Sequence, residues 1–197
     1  MEQTIPDINT PQFNHNKTHP KELLLWLAYG SFLMFFTAFF SVYIYKKSSG
    51  AWSQIDVPNG FIYSTLLMLV SGLTFYLSYT NFKKGMIKRS KQFLYISLIV
   101  GISFMLAQWF SWQEMFDRGD FVIVKDNVAG TLIFILSGCH LLHVLGGIVP
   151  MTWLCVKAGL NQLDYRLSLG FKLTHSYWHF LGALWLYIYL FLLVNQY

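Results

Sequence analysis

Long stretches without any charged residue constrain this 197-residue chain more than any other feature. Five windows contain no Asp, Glu, Lys or Arg, and they cover residues 23–45, 57–82, 92–113, 127–156 and 173–197. Each window reaches or exceeds the about 20 residues that an α-helix needs to cross the hydrocarbon core of a bilayer. Inside lipid, only helices and closed barrels satisfy every backbone N–H and C=O group. The pattern predicts an all-α, polytopic membrane protein built as a bundle of five transmembrane helices.

The overall composition agrees with a membrane location. Hydrophobic residues make up 55% of the chain, aromatic residues 19% and charged residues only 12%. A soluble protein of this size needs more polar surface to cover its core. The charges instead gather in short loops between the windows. We therefore expect an irregular amino-terminal tail, residues 1–21, and one membrane domain, residues 22–197, with its last helix ending near residue 195.

The distribution of basic residues predicts the orientation, because Lys and Arg resist translocation across a membrane. The loop KKGMIKRSK, residues 83–91, holds five of them. If this loop is cytoplasmic, ten of the fourteen basic residues lie inside and four lie outside. The expected topology has a cytoplasmic amino terminus and an external carboxyl terminus. The net charge of +5 is then a topology signal, and no nucleic-acid partner is predicted.

Two pairs of histidines are the candidates for chemistry inside the membrane. His140 and His143 lie in the fourth window, and His175 and His179 lie at the start of the fifth. Each pair occupies one helical face and could ligate haem or a metal. Helical rise places His143 and His179 about 10 Å apart in depth, whereas metal ligands converge to about 2 Å from one ion. The spacing favours the alternative, in which each imidazole hydrogen-bonds within the bundle.

The windows also lack the groups that other membrane functions require. Proton pumps, channels and coupled transporters usually place carboxylates or basic side chains at membrane depth. The chain has no glycine-rich phosphate loop, no nucleophile elbow and no zinc-type helix motif. Aromatic and small residues along the windows are typical of helix packing surfaces. The residues alone thus favour an interaction protein of the membrane, and they leave a haem-binding cytochrome or a transporter open.

Two motifs on the last two predicted helices carry a resemblance to a known family. SGCHLLHVLGG, residues 137–147, and YWHFLGALWLYIYL, residues 177–190, resemble the most recognisable segments of subunit III of haem-copper terminal oxidases. SFLMFFTAFFSVY, STLLMLVSG and AQWFSW are similar to the preceding helices of that family, so the resemblance covers about residues 22–195. The chain looks most like the short, five-helix bacterial form, which lacks the two additional amino-terminal helices of seven-helix members.

The resemblance implies a non-catalytic subunit of cytochrome c oxidase, located in a bacterial cytoplasmic (inner) membrane. Such a subunit packs on subunit I, which holds haem and copper, retains phospholipids and supports sustained oxygen reduction in aerobic respiration. The expected partners are subunits I and II, a larger respiratory supercomplex and membrane lipids. The chain itself is then expected to bind no cofactor and to carry no catalytic centre, although it is part of an oxidoreductase complex. A quinol oxidase subunit III and the five-helix accessory subunit of nitric oxide reductase are the alternatives.

The same resemblance assigns roles to individual positions. His140, His143 and His179 occupy the histidine positions of the family, where they bind no redox metal. The other motif residues are expected to pack, and they are Gly138, Gly147, Tyr177, Trp178, Phe180 and Trp185. Three positions at which many members have a carboxylate carry other residues here, namely Phe32, Ser111 and Gly182. No role of those carboxylates can be carried over to this chain.

The basic-residue count yields a first test, in which single cysteines are introduced at Ser90 and Gly119. We expect the cysteine at position 90 to react only with a membrane-permeant reagent, because its loop is predicted to be cytoplasmic. The cysteine at position 119 should react with an impermeant one. Labelling of intact cells measures both, with the unmodified chain as the background control. The reverse pattern would reject the orientation.

Overall fold

A computed structural model describes residues 20–48, 58–119, 128–163 and 167–195 of the chain. These residues form five α-helices, and each helix is long and apolar enough to cross a membrane. The helices are α1 (Pro20–Ser48), α2 (Gly60–Lys83), α3 (Ile87–Asp117), α4 (Val128–Gly159) and α5 (Ser168–Val194). The expected all-α bundle of five apolar helices is therefore confirmed.

The helices extend beyond most of the charge-free windows. Helix α3 begins at Ile87 instead of residue 92 and ends at Asp117 instead of residue 113. Helix α1 similarly begins at Pro20, so it includes the last two residues of the tail expected at 1–21, whose first nineteen lie outside the described residues. Charged side chains at helix ends can reach headgroups or water while the backbone stays helical. The windows delimit the lipid-embedded segments, and the helices continue past them.

The start of α2 falls three residues inside its predicted span. Helix α2 begins at Gly60, and its first turn is closed by the Phe61 N–H, which donates to the carbonyl oxygen of Pro58 at 3.0 Å. Val57, where the prediction started this helix, lies outside the described residues. Proline lacks an N–H group and is tolerated at a helix start, which explains the position of this boundary.

Four of the helices form a closed group, and α1 lies beside it. Helix α2 contacts α3 and α5, and α4 contacts the same two neighbours, so α3 and α5 are diagonal to each other. Helix α1 packs on α4 and α5, and among the described residues it contacts neither α2 nor α3. Helices α1 and α5 run parallel, since Glu22 pairs with Lys172 at one end and Lys47 donates to the Asn195 carbonyl at the other.

Serines at seven-residue spacing hold α2 against α3. They are Ser64, Ser71 and Ser78 on α2. The Ser71 hydroxyl donates to the carbonyl oxygen of Ser97 at 3.0 Å, and the Ser97 hydroxyl donates back to the carbonyl of Ser71 at 2.9 Å. Ser78 donates to the carbonyl of Ser90 in the same way, at 2.8 Å. Small polar residues of this kind let two membrane helices approach closely and bond across their interface.

Trp178 of α5 fills the centre of the four-helix group. Its side chain is fully buried, and its indole N–H donates to the hydroxyl of Ser71 on α2 at 3.2 Å. The same ring lies against Gly101 of α3 and Gly147 of α4, where a Cβ atom would stand 2.9 and 3.0 Å from it. One side chain of α5 thereby contacts the three other helices of the group.

Trp185, two turns further along α5, repeats this arrangement. Its indole N–H donates to Thr65 of α2 at 3.1 Å. Its ring packs edge-on against Phe61 and Phe104, with centroids 5.6 and 5.4 Å away. Trp178 and Trp185 therefore form a central aromatic column in which both polar N–H groups are hydrogen-bonded, as buried groups in lipid require.

The structure changes the design of the labelling test described above. Ser90 is fully buried in the α2–α3 interface, so a cysteine at this position would be shielded from reagents in either orientation. Lys84 and Lys88 are exposed on the same side of the protein and are suitable replacements. Gly119 is exposed and remains a valid position. The orientation of the termini stays a prediction.

The close approach at Trp178 predicts the effect of a single methyl group. We expect Gly101→Ala to lower the free energy of unfolding by about 1–3 kcal/mol, because the new Cβ overlaps a rigid ring in a filled core. Gly30→Ala is the matched control, since no atom lies within 4 Å of its Cβ position. Reversible unfolding in mixed detergent micelles, followed by circular dichroism, compares the variants. Equal stability of the two variants would show that the Trp178 contact does not limit packing.

Candidate functional site

His140 lies at the heart of the bundle, where it is enclosed by aromatic rings. It is fully buried on α4, with the rings of Trp185, Phe104 and Phe36 centred 5.1, 6.2 and 6.5 Å from its own. Neither ring nitrogen has a hydrogen-bond partner in the described part of the chain. The interpretation that every histidine bonds within the bundle is therefore wrong for His140, because the side chains around it are aromatic.

His143 lies one turn further along α4 and faces α1. Its Nδ1 bonds to the carbonyl oxygen of Cys139 at 2.6 Å, so here the expected hydrogen bond is confirmed. The ring of Phe32 packs edge-on against it, with centroids 4.2 Å apart. The resemblance places a glutamate at position 32 in many members, and a carboxylate there would face the imidazole. This chain has an aromatic contact in place of that pair.

His175 and His179 form the second pair, on the face of α5 that turns toward α2. Their rings are 4.3 Å apart, and Tyr79 of α2 stacks on His175 with its centroid 4.5 Å away. His179 lies beside Gly72, where a Cβ would stand 3.7 Å from the imidazole. Among the described residues, Nε2 of neither histidine has a hydrogen-bond partner.

The two pairs do not converge on one site. His140 and His143 contact rings of α1, α3 and α5, whereas His175 and His179 contact rings of α2. Within residues 20–48, 58–119, 128–163 and 167–195, no group of three or more His, Cys, Asp and Glu side chains could hold a metal ion. This geometry gives no support to a haem or metal bound between the pairs. That the chain itself binds no cofactor stays a prediction.

The other motif residues lie in helix interfaces. Tyr177 donates its hydroxyl to the carbonyl oxygen of His143 at 3.1 Å, and Phe180 stacks on Tyr29 with centroids 4.2 Å apart. Gly138 faces the ring of Trp112, which would lie 3.9 Å from a Cβ atom at this position. Each of these contacts joins two different helices, so the motifs mark the seams of the bundle.

The two other positions at which the resemblance implies a carboxylate in many members also lie at seams. Ser111 is buried, donates to the carbonyl oxygen of Ala107 at 2.8 Å and touches Gly60 of α2. Gly182 faces Met68 of α2, whose terminal methyl lies 3.7 Å from its Cβ position. A carboxylate at either position would be desolvated against α2, and the residues present avoid that cost.

Sequence reasoning missed the polar partners on α2 and α3. Ser71 and Thr65 accept the N–H groups of the two central indoles, and Ser97 joins α3 to Ser71. Ser71 and Thr65 lie in the segment STLLMLVSG, but the resemblance assigns neither of them a role. Gln108 lies in the segment AQWFSW, and its side-chain amide donates to the hydroxyl of Ser64 at 2.8 Å. The seven-residue spacing of the α2 serines was a signal that could have identified this interface from the sequence.

Comparison with known proteins points to one family. A family model described as cytochrome c oxidase subunit III matches residues 22–196. The chain is 23% identical over 168 residues to a "Probable cytochrome c oxidase subunit 3" of Mycobacterium tuberculosis, a match covering 83% of this chain and 81% of the relative. It is 28% identical over 204 residues to the cytochrome c oxidase subunit 3 of Pelomedusa subrufa, a match covering 96% of this chain and 73% of the relative. The cytochrome c oxidase subunit 3 of Loxodonta africana is 28% identical over 176 residues, a match covering 80% of this chain and 63% of the relative.

The separation of the two histidine pairs predicts that the purified chain is colourless. We expect no Soret band and no stoichiometric metal, because His140 is enclosed by rings and the other pair faces a different helix. Absorption spectra and elemental analysis of the full chain in mild detergent measure both quantities. A His140→Leu variant serves as the comparison. A stoichiometric Soret band that this substitution removes would show that His140 ligates haem.

Proposed function

Because the chain belongs to the cytochrome c oxidase subunit III family, we propose that it is a structural subunit of a haem-copper terminal oxidase. In this role it packs on the haem- and copper-bearing subunit I, retains phospholipid and supports sustained oxygen reduction without a catalytic centre of its own. We further propose a bacterial cytoplasmic membrane as its location and subunits I and II as its neighbours. The family match over residues 22–196 is the observation that carries the proposal.

The interior of the bundle supports a structural role. The central column of Trp178 and Trp185 is bonded to α2 and filled on all sides, so it offers no space for a substrate. Phe32, Ser111 and Gly182 have no ionisable side chain, so they cannot act as the membrane-depth carboxylates that proton-moving proteins use. What the arrangement provides is a rigid helical body.

The surface of the bundle supports contacts with lipid and with a neighbouring subunit. Large apolar side chains are exposed along several helices, as on any protein that faces lipid or another membrane protein. Open grooves also run beside α1. One of about 370 Å³ lies between α1 and α4 and is lined by Ser31, Phe32, Phe35, Cys139, Leu142 and His143. An acyl chain is the ligand that such an apolar groove in a membrane accepts.

A subunit of this kind affects the lifetime of its complex more than the barrier of the chemical step. We therefore expect an oxidase depleted of this chain to keep much of its initial oxygen-reduction rate and to inactivate faster during turnover. Oxygen consumption followed over many turnovers measures the effect, with haem spectra recorded in parallel. Mock-depleted oxidase, carried through the same detergent steps, is the control.

Two outcomes would contradict the proposal. An initial rate that is abolished while subunit I keeps its haems and copper would mean that this chain is essential to catalysis. Isolation of the chain from mild detergent with a nitric oxide reductase, and not with an oxidase subunit I, would assign it to a different enzyme.

A further inference from the structure

A second groove opens where α1 and α2 stand apart over α5. We call it the α5 groove, and it is lined by Tyr76, Tyr79, Lys172, His175, Ser176 and His179, with a volume of about 460 Å³. Residues of α5 form its floor, and the two tyrosines of α2 form one wall. On the opposite side, Tyr29 of α1 donates its hydroxyl to Ser176 at 3.0 Å. The groove is the gap that remains because the described residues of α1 do not contact those of α2.

Basic groups lie at the mouth of the α5 groove. The ammonium of Lys172 lines it and bonds to the carboxylate of Glu22 at 2.8 Å. The ammonium of Lys83 lies over the ring of Tyr79, 4.7 Å from its centroid. These three charged groups sum to a net charge of +1. An ammonium carries three donors, so Lys172 can bind a second anionic oxygen beside Glu22.

Two imidazole side chains lie deeper in the same groove. His175 follows Lys172 by three residues, which is about 4.5 Å along the helix axis, and His179 is one turn deeper still. The buried Nε2 atoms of both imidazoles have no partner among the described residues. A polar group without a partner at this depth is costly, so a partner from outside the chain would stabilise the pair.

We propose that the α5 groove binds one anionic phospholipid. Its phosphate pairs with the ammonium groups of Lys172 and Lys83, and its ester carbonyls accept hydrogen bonds from His175 and His179. The acyl chains run along the gap between α1 and α2. The order of groups fits a lipid, because cations lie at the headgroup level and neutral donors lie where the glycerol esters begin.

The position of α1 explains what such a lipid would do. Only 11% of the most apolar window of α1 is buried, against 28–33% for the other four helices. A lipid in the α5 groove would cover the edge of α1 that faces α2 and hold this helix to the four-helix group. His175 is not one of the three histidines to which the resemblance assigns a family position. The inference rests on the lipid-retaining part of the proposed function and extends it to a particular groove of the bundle.

Charge selectivity tests the proposal on the full chain purified in mild detergent. Native mass spectrometry compares retention of a phosphatidylglycerol with that of a phosphatidylcholine bearing the same acyl chains. We expect the anionic lipid to be retained about fivefold more strongly, which is the effect of one net charge near the membrane surface. Lys172→Gln and Lys83→Gln should each abolish the preference. Lys83→Gln is the decisive variant, because it leaves the Lys172–Glu22 pair that holds α1 in place.

A matched control and a second variant separate charge from hydrogen bonding. Lys88→Gln removes one exposed charge on the same side of the protein, outside the groove, and should keep the preference. His175→Leu should lower retention of both lipids equally, since both carry ester carbonyls. A diether phosphatidylglycerol lacks those carbonyls, so the unmodified chain should retain it as weakly as His175→Leu retains the ester lipid.

Several results would overturn the assignment of this site. They are equal retention of the two lipids by the unmodified chain, an unchanged preference in Lys83→Gln, and a loss in Lys88→Gln as large as in Lys83→Gln. Each of these would leave the proposed subunit role untouched, because that role is decided by association with the oxidase and by turnover lifetime.

Discussion

The packing of Trp178 between two glycines is the constraint on which the bundle depends. Helices in lipid gain nothing from leaving water, so they associate through close packing and internal hydrogen bonds. Gly101 and Gly147 provide the space for the indole ring, and Ser71 accepts its N–H. Because Ser71 also bonds across to Ser97, the same contact fixes the α2–α3 pair. A change at this point alters the spacing of all four central helices.

Helix α1 is attached to the bundle less closely than the other four helices are packed together. It is held at its ends by polar contacts and along its length by rings such as Phe32 against His143, while its edge toward α2 stays open. A rigid four-helix group with a loosely covered fifth helix leaves grooves that lipid can occupy. A subunit that stabilises a larger membrane complex would benefit from both features, namely a firm body and lipids held at its margins.

The histidines show how far the sequence could predict the candidate site. Their spacing correctly indicated that each pair shares a helical face, and their depth separated the two pairs. The sequence could not indicate that His140 is surrounded by aromatic rings, because those rings come from other helices. It also could not indicate that His143 bonds to a carbonyl oxygen of its own helix. The sequence could not predict the groove beside His175 either, since it forms where the described residues of α1 and α2 do not contact each other.

The sequence by itself determined the number of helices, their approximate positions and the family. Burying a charge in hydrocarbon is so costly that charge-free windows mark the spans without reference to any neighbour. The tertiary structure alone decided which small and polar residues meet, as Ser71 meets Trp178. Those features depend on the distances between helices distant in sequence, and in a uniformly apolar chain many helix arrangements bury similar side chains.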